Sequence, residues 1–164
     1  MSKKNFWIGY ALGIALAISI GGYLFYKAST LPQILISELK MEDLQGNLVD
    51  GEIFSETPTV VNFWGTWCAP CIKEFPEFEK LRLKYKGKVR FIMVSDESSE
   101  TIKRFVDKNH FGFEFLRSRQ KFNVLGLKSR PATYFYNSKG LLISKKIGSI
   151  LPEELENSIE KMLN

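Results

Sequence analysis

The chain has 164 residues, 45% of them hydrophobic and 13% aromatic, with 23 basic residues against 18 acidic ones and a net charge of +5. That composition supports a folded core, and so small a basic excess, part of it in two lysines ahead of an apolar stretch, implies no nucleic-acid partner. Two cysteines and one histidine argue against a zinc site, which takes about four ligands, and leave no spare thiols to staple a small secreted scaffold.

Lys3 and Lys4 precede a stretch from Phe6 to Phe25 without a charge, and Lys27 follows it. About twenty apolar residues rising 1.5 Å each cross a bilayer core, so residues 6–26 are expected to form a transmembrane anchor. Its length and the lack of a small-x-small site favour an uncleaved anchor; a signal peptide cut near Ala28 is the alternative. The paired lysines assign residues 1–5 to the cytoplasm and everything after Lys27 to the outer side. Residues 27–33, with Leu31 and Pro32, read as a linker, and 34–164 have the length of one domain.

Within that domain, Leu44-Gln45-Gly46-Asn47-Leu48 carries a turn signal between short apolar segments and predicts a small N-terminal hairpin. Thr59 to Trp64 reads as a buried strand, residues from about Ala69 to Tyr85 as a helix that Pro76 should kink, and Val89 to Val94 as a second buried strand. Ser98 or Ser99 caps a helix through about Asn109, closed by Gly112, and Phe113 to Leu116 adds a short strand. Thr133 to Tyr136 and Leu141 to Ile147 flank the turn Asn137-Ser138-Lys139-Gly140 as an antiparallel hairpin. Pro152 and Glu153 open a final helix to about Leu163 with Leu155, Ile159 and Met162 facing inward. The only histidine, His110, falls in a loop.

The chemistry lies in Cys68-Ala69-Pro70-Cys71, which holds both cysteines and follows the first strand. Helical spacing after the pair puts Cys68 at a helix N-terminus and Cys71 one turn inside. Unpaired N–H groups and the macrodipole favour thiolate at the first position, so Cys68 is the expected nucleophile and Cys71 the thiol that resolves a mixed disulfide. Pro70 fits the first helical turn without costing a hydrogen bond. Covalent haem attachment would need a histidine where Ile72 stands. A purely structural disulfide over so short a loop removes little chain entropy. Trp64 is expected in the core and Trp67 at the surface.

The order strand, helix, strand, helix, hairpin, helix, with Trp67-Cys68-Ala69-Pro70-Cys71 at the first helix and Arg130-Pro131-Ala132-Thr133 before the hairpin, resembles the thioredoxin fold. The resemblance covers about residues 34 to 163. Val61 through Trp67, Glu74-Phe75-Pro76 and the inserted helix near Ser98 to Asn109 are similar to the membrane-anchored TlpA/ResA/DsbE-type thiol-disulfide oxidoreductases. The expected architecture is therefore α/β: a central mixed β-sheet flanked by helices, with an N-terminal β-hairpin and one inserted helix, preceded by one transmembrane helix.

The resemblance implies a cis Arg130-Pro131 bond facing the disulfide, with the backbone beside it pairing with an extended substrate segment. Arg130 departs from the apolar or small residue common there; it either favours the Cys68 thiolate and attracts an acidic segment, or points to solvent. Asn62 stands where many thioredoxins carry a titrating aspartate and cannot take its role. Glu74, one helical turn beyond Cys71, is the candidate replacement base, against the plainer reading of an exposed helix charge. Trp67, Arg130 and Pro131 make up the expected substrate-binding set.

Neither a metal nor a cofactor is implied. The implied function is reduction of protein disulfides outside the cytoplasm of a bacterium by a single-pass protein of the cytoplasmic membrane. Its electrons would come from a membrane thiol-disulfide transporter, and apocytochrome c in cytochrome c maturation is the substrate the family suggests. Oxidation or isomerisation by the same pair stays open, since spacing does not set the potential. So does a non-catalytic binding or assembly module on the same fold, although the retained cysteine pair argues against it. A peroxidase is disfavoured, because no separate peroxide-reactive cysteine is present.

Overall fold

The computed structural model describes residues 3–29, 36–50, 54 and 56–163, with residues 3–6, 11 and 24–29 described by backbone alone. The chain divides into two compact units, Met1–Gln33 and Ile34–Asn164. The first holds one helix, α1 (Lys3–Ser29), on which Trp7, Ile8, Leu12, Leu16, Ile18 and Ile20 are exposed. No helix among the described residues is long and apolar enough to cross a membrane, so the anchor expected over residues 6–26 rests on the sequence. The connector expected at Leu31 and Pro32 lies outside the described residues.

In the second unit a single turn of 3₁₀ helix (Ile36–Glu38) leads to the small hairpin β1 (Met41–Glu42) and β2 (Leu48–Val49). Asp43 closes its turn by accepting from the Gln45 and Asn47 N–H groups, and Gly46 supplies the positive φ of 92° that the turn needs. There follow β3 (Thr59–Phe63), α2 (Ala69–Lys84), β4 (Arg90–Ser95), α3 (Ser99–Lys108), β5 (Glu114–Ser118), β6 (Ala132–Tyr136), β7 (Leu142–Ile147) and α4 (Pro152–Leu163). Ser98 caps α3, its hydroxyl accepting from the Thr101 N–H.

The seven strands form one sheet in the order β2-β1-β5-β4-β3-β6-β7. β3, β4 and β5 are parallel and joined by α2 and α3, while β6 runs antiparallel to β3 and pairs with β7. Moving outward from β3 to β5 through two crossovers of the usual hand places both helices on one face. That face buries Phe75 and Phe78 of α2, Ile102 of α3 and Leu155, Ile159 and Met162 of α4 against Val60, Phe91, Met93, Phe115 and Phe135. The opposite face is covered by Ile36, Leu39, Phe54, Phe122 and Leu127, which pack on Val61, Phe63, Ile92 and Tyr134. Covered on both sides, β3 is wholly buried, Thr59 and Asn62 included.

This is the expected mixed-sheet thioredoxin-like architecture, with its hairpin and inserted helix. One detail differs from expectation: β5 begins at Glu114 and runs on to Ser118, because Arg117 and Ser118 pair with the hairpin strand β1. Pro76 lies inside α2, with Phe75 and Phe78 on either side anchored in the core.

Candidate active site

The site begins where β3 ends. The Trp64 N–H still bonds the Val94 carbonyl, and the chain then turns through Gly65, Thr66 and Trp67 so that the Cys68 N–H bonds the Gly65 carbonyl. Cys68 is the N-cap of α2, followed by Ala69 and Pro70 in the first turn, and its own carbonyl accepts from the Ile72 N–H. No side chain caps this helix start, and a sulfur at an N-cap is in a setting that favours thiolate.

The two sulfurs are joined, with Cα atoms 5.3 Å apart. Cys68 is 3% exposed and Cys71 fully buried, so the outer sulfur is the one within reach of a partner.

The turn before Cys68 is held by a carboxylate from the turn that follows β4. Glu97 Oε2 accepts from the Thr66 N–H at 2.6 Å and Oε1 from the Thr66 hydroxyl at 2.8 Å, while the Ser95 hydroxyl donates to Oε2 at 3.1 Å. Arg117 Nε donates to the Glu97 carbonyl, tying this turn to β5. Charge-assisted bonds of this kind are stronger than neutral ones and fix the turn that leads to Cys68.

Around Cys71 the setting is apolar. Trp64 is fully buried, its ring centroid 5.2 Å from that of Phe75 and 4.8 Å from that of Phe105. Asn62, also buried, donates from Nδ2 to the hydroxyl of its cross-strand partner Thr133 at 3.0 Å. Glu74 is half-buried: Oε1 accepts from the Ile150 N–H at 2.8 Å, and Oε2 is buried without a partner. Burial raises its pKa above the usual carboxylate value, and the Ile150 N–H and the Ser149 hydroxyl oppose that shift. Glu74 is thus a desolvated carboxyl one helical turn beyond the inner cysteine, not the exposed charge of the plainer reading.

Arg130 and Pro131 lie before β6, and the bond between them is cis, as the resemblance implies. The Pro131 carbonyl accepts from the Gly148 N–H, which joins this turn to the segment that leads to Glu74's partner Ile150. Arg130 does not point to solvent. Its guanidinium pairs with Asp96, at 2.9 Å to Oδ1 and 3.0 Å to Oδ2, and lies over the rings of Phe122 and Trp67 at 4.5 and 5.0 Å. Trp67 itself is 67% exposed, in keeping with its surface assignment, and His110 is an exposed loop residue.

Asp96 and Glu97 are the site residues that sequence reasoning missed. Their signal was available: β3 and β4 run parallel, so the turns leaving their C-terminal ends must be neighbours, and polar residues there meet at the site. Nothing in the sequence marked Ser149 and Ile150 as partners of Glu74, since their approach follows from the hairpin's return.

Residues 34–145 match the AhpC/TSA family. A thiol-disulfide oxidoreductase ResA of Bacillus thuringiensis is 31% identical over 126 residues, which cover 73% of this chain and 72% of the relative. ResA of Halalkalibacterium halodurans is 27% identical, with 96% of this chain and 95% of the relative covered, and the thioredoxin-like protein YneN of Bacillus subtilis is 26% identical over 98% and 99%. Among solved structures, StoA of Bacillus subtilis superposes with a TM-score of 0.60 at 21% identity, over 73% of this chain and 94% of that one. A Chlorobium tepidum protein described as a thiol:disulfide interchange protein DsbE gives 0.72 at 19%, over 82% and 100%.

Proposed function

The chain belongs to the AhpC/TSA family and is a thiol-disulfide oxidoreductase of the ResA type, and from that premise we propose that it reduces protein disulfides on the outer side of a bacterial cytoplasmic membrane. The observation that carries this reading is the division of the cysteine pair: Cys68 at the uncapped start of α2, and Cys71 fully buried beside a desolvated Glu74. The reduced protein attacks a substrate disulfide with the Cys68 thiolate and forms a mixed disulfide. Cys71 then attacks the Cys68 sulfur, with Glu74 taking its proton, and releases the substrate as a dithiol. Two electrons and two protons pass to the substrate, and the protein is left with the Cys68–Cys71 bond seen here.

The uncharged run between Lys4 and Lys27 supports an anchor over residues 6–26, and the lysines ahead of it support an outward-facing domain. A membrane thiol-disulfide transporter is the proposed electron donor. Apocytochrome c, whose cysteines must be reduced before haem attachment, is the proposed substrate.

Two measurements test the reading. A Cys71→Ser protein should accumulate mixed disulfides through Cys68 with its substrates, and a binding module would trap nothing specific. Equilibrated against a defined thiol buffer, the pair should show a reduction potential near or below about −230 mV; one near −120 mV would make the protein an oxidant and remove the cytochrome proposal.

A further inference from the structure

We propose that Arg130 is a positioning residue for Trp67, and that its pairing with Asp96 sets the substrate class: the segment reduced at Cys68 carries apolar or aromatic side chains beside its disulfide, not acidic ones. This rests on the disulfide-reducing reading above and specifies its substrate.

An arginine next to a redox site ordinarily reads as a receptor for carboxylates. Here both oxygens of Asp96 already hold the guanidinium, and the two side chains are only 16% and 10% exposed. Asp96 is fixed in turn, since Oδ2 accepts from the Phe122 N–H at 3.1 Å and its carbonyl accepts from Lys121 Nζ at 2.9 Å. An acidic substrate side chain would have to share a guanidinium whose charge Asp96 already offsets and would itself face the Asp96 carboxylate, so the contact gains little.

The guanidinium's flat surface is used as well. It lies over both Phe122 and Trp67, a stacking that lysine's compact ammonium cannot reproduce. Gly65 lies against the same indole: a Cβ there would stand 3.0 Å from Trp67 Nε1 and 3.1 Å from Cε2. Held by these two partners, Trp67 still exposes most of its surface immediately before the nucleophile. A large ring ordered before contact loses little entropy when a substrate packs on it, which suits apolar and aromatic neighbours.

The test uses the full-length reduced protein and two synthetic peptides, each with one intramolecular disulfide, flanked by Phe and Leu in one and by Glu in the other. Two electrons and two protons pass from the Cys68/Cys71 dithiol to the peptide disulfide, giving peptide dithiol and protein disulfide. The kcat/KM should favour the apolar peptide by about tenfold. Asp96→Asn should narrow that gap by lowering KM for the acidic peptide, because the guanidinium is then free to pair with it. Arg130→Lys should raise KM for the apolar peptide several-fold, whereas a merely structural role would depress both peptides alike. If Asp96→Asn does not unfold cooperatively, the Arg130→Lys comparison decides. Equal kcat/KM for the two peptides in the unmodified protein, or variants that move both by one factor, overturns the inference and leaves the reductase reading standing. Failure to reduce either peptide, with the cysteine pair shown to be reduced, overturns both.

Discussion

The two cysteines of this site are three positions apart in the chain, yet their surroundings are built by different means. Cys68 is approached through a turn held by polar side chains from elsewhere in the fold: Glu97 on Thr66, and Arg130, paired with Asp96, against Trp67. Cys71 belongs to the same buried cluster as Trp64, Phe75 and Phe115, where Trp64 packs edge to face or tilted on Phe75, Phe105 and Phe115, and Glu74 is the ionisable group one turn away. The outer thiol therefore depends on geometry that polar bonds maintain, and the inner one on exclusion of water. A reductant needs both, because attack on a substrate requires access while resolution requires a thiol that the substrate cannot reach.

The sharpest way to break this comparison is to exchange the roles. Cys68→Ser should abolish turnover of protein disulfides and form no mixed disulfide, whereas Cys71→Ser forms one and stalls; mass spectrometry of the trapped species distinguishes them. Mixed disulfides through Cys71 in the Cys68→Ser protein would show that burial does not divide the pair.

Next in size is the core on the Cys71 side. Phe75→Ala removes a fully buried ring that meets Trp64, Phe105, Phe111 and Phe113 at centroid distances of 5.2, 6.0, 5.4 and 5.5 Å. Its cost should be about 3–5 kcal/mol in denaturant unfolding, the range for phenylalanine truncation in a packed core. On the Cys68 side, Glu97→Gln keeps the volume but turns an acceptor into a donor where Thr66 already donates. The expected loss is about 1–3 kcal/mol, accompanied by slower attack of Cys68 on a test disulfide. Lost stability with unchanged attack would mean that the Glu97 contacts serve the fold and not the nucleophile.

The difference between the two regions also explains what could be read in advance. The core side was legible, because strand runs such as Val60-Val61-Asn62-Phe63 and the helical spacing of Phe75, Phe78 and Leu81 express burial directly. The places of the two cysteines on α2 followed from helical spacing, and the cis bond at Pro131 from resemblance. The polar side was not legible in the same way. Asp96, Glu97 and Arg130 are ordinary surface-type residues, and their partners lie 34, 31 and 34 positions away for Arg130, Thr66 and Asp96 respectively. No local periodicity records such a bond; it becomes visible only when the parallel pairing of β3 with β4 and the antiparallel pairing of β3 with β6 bring the flanking turns together.

Glu74 carries the smallest expected effect at any one pH and the most diagnostic one, since it belongs to the inner thiol and yet titrates. Burial raises its folded-state pKa above the ordinary carboxylate value. A base for Cys71, the role proposed for Glu74, must be ionised, so in that role the rate of resolution should climb as pH rises through the elevated pKa. Glu74→Gln should erase this limb and leave only the dependence set by the thiols. Near neutral pH the loss should be about tenfold or less, below the usual yield of a positioned base, because a free thiol already ionises near pH 8.5 without help. Stability follows the same proton. The folded protein binds it more tightly than the unfolded chain, so the contribution is fully present below about pH 4.3 and is lost as pH rises through the raised value. Oxidised protein should accordingly lose stability across that window, and Glu74→Gln should flatten the slope. Matching pH profiles for the two proteins, in both resolution and unfolding, would return Glu74 to a packing role and leave Cys71 to depend on its burial alone.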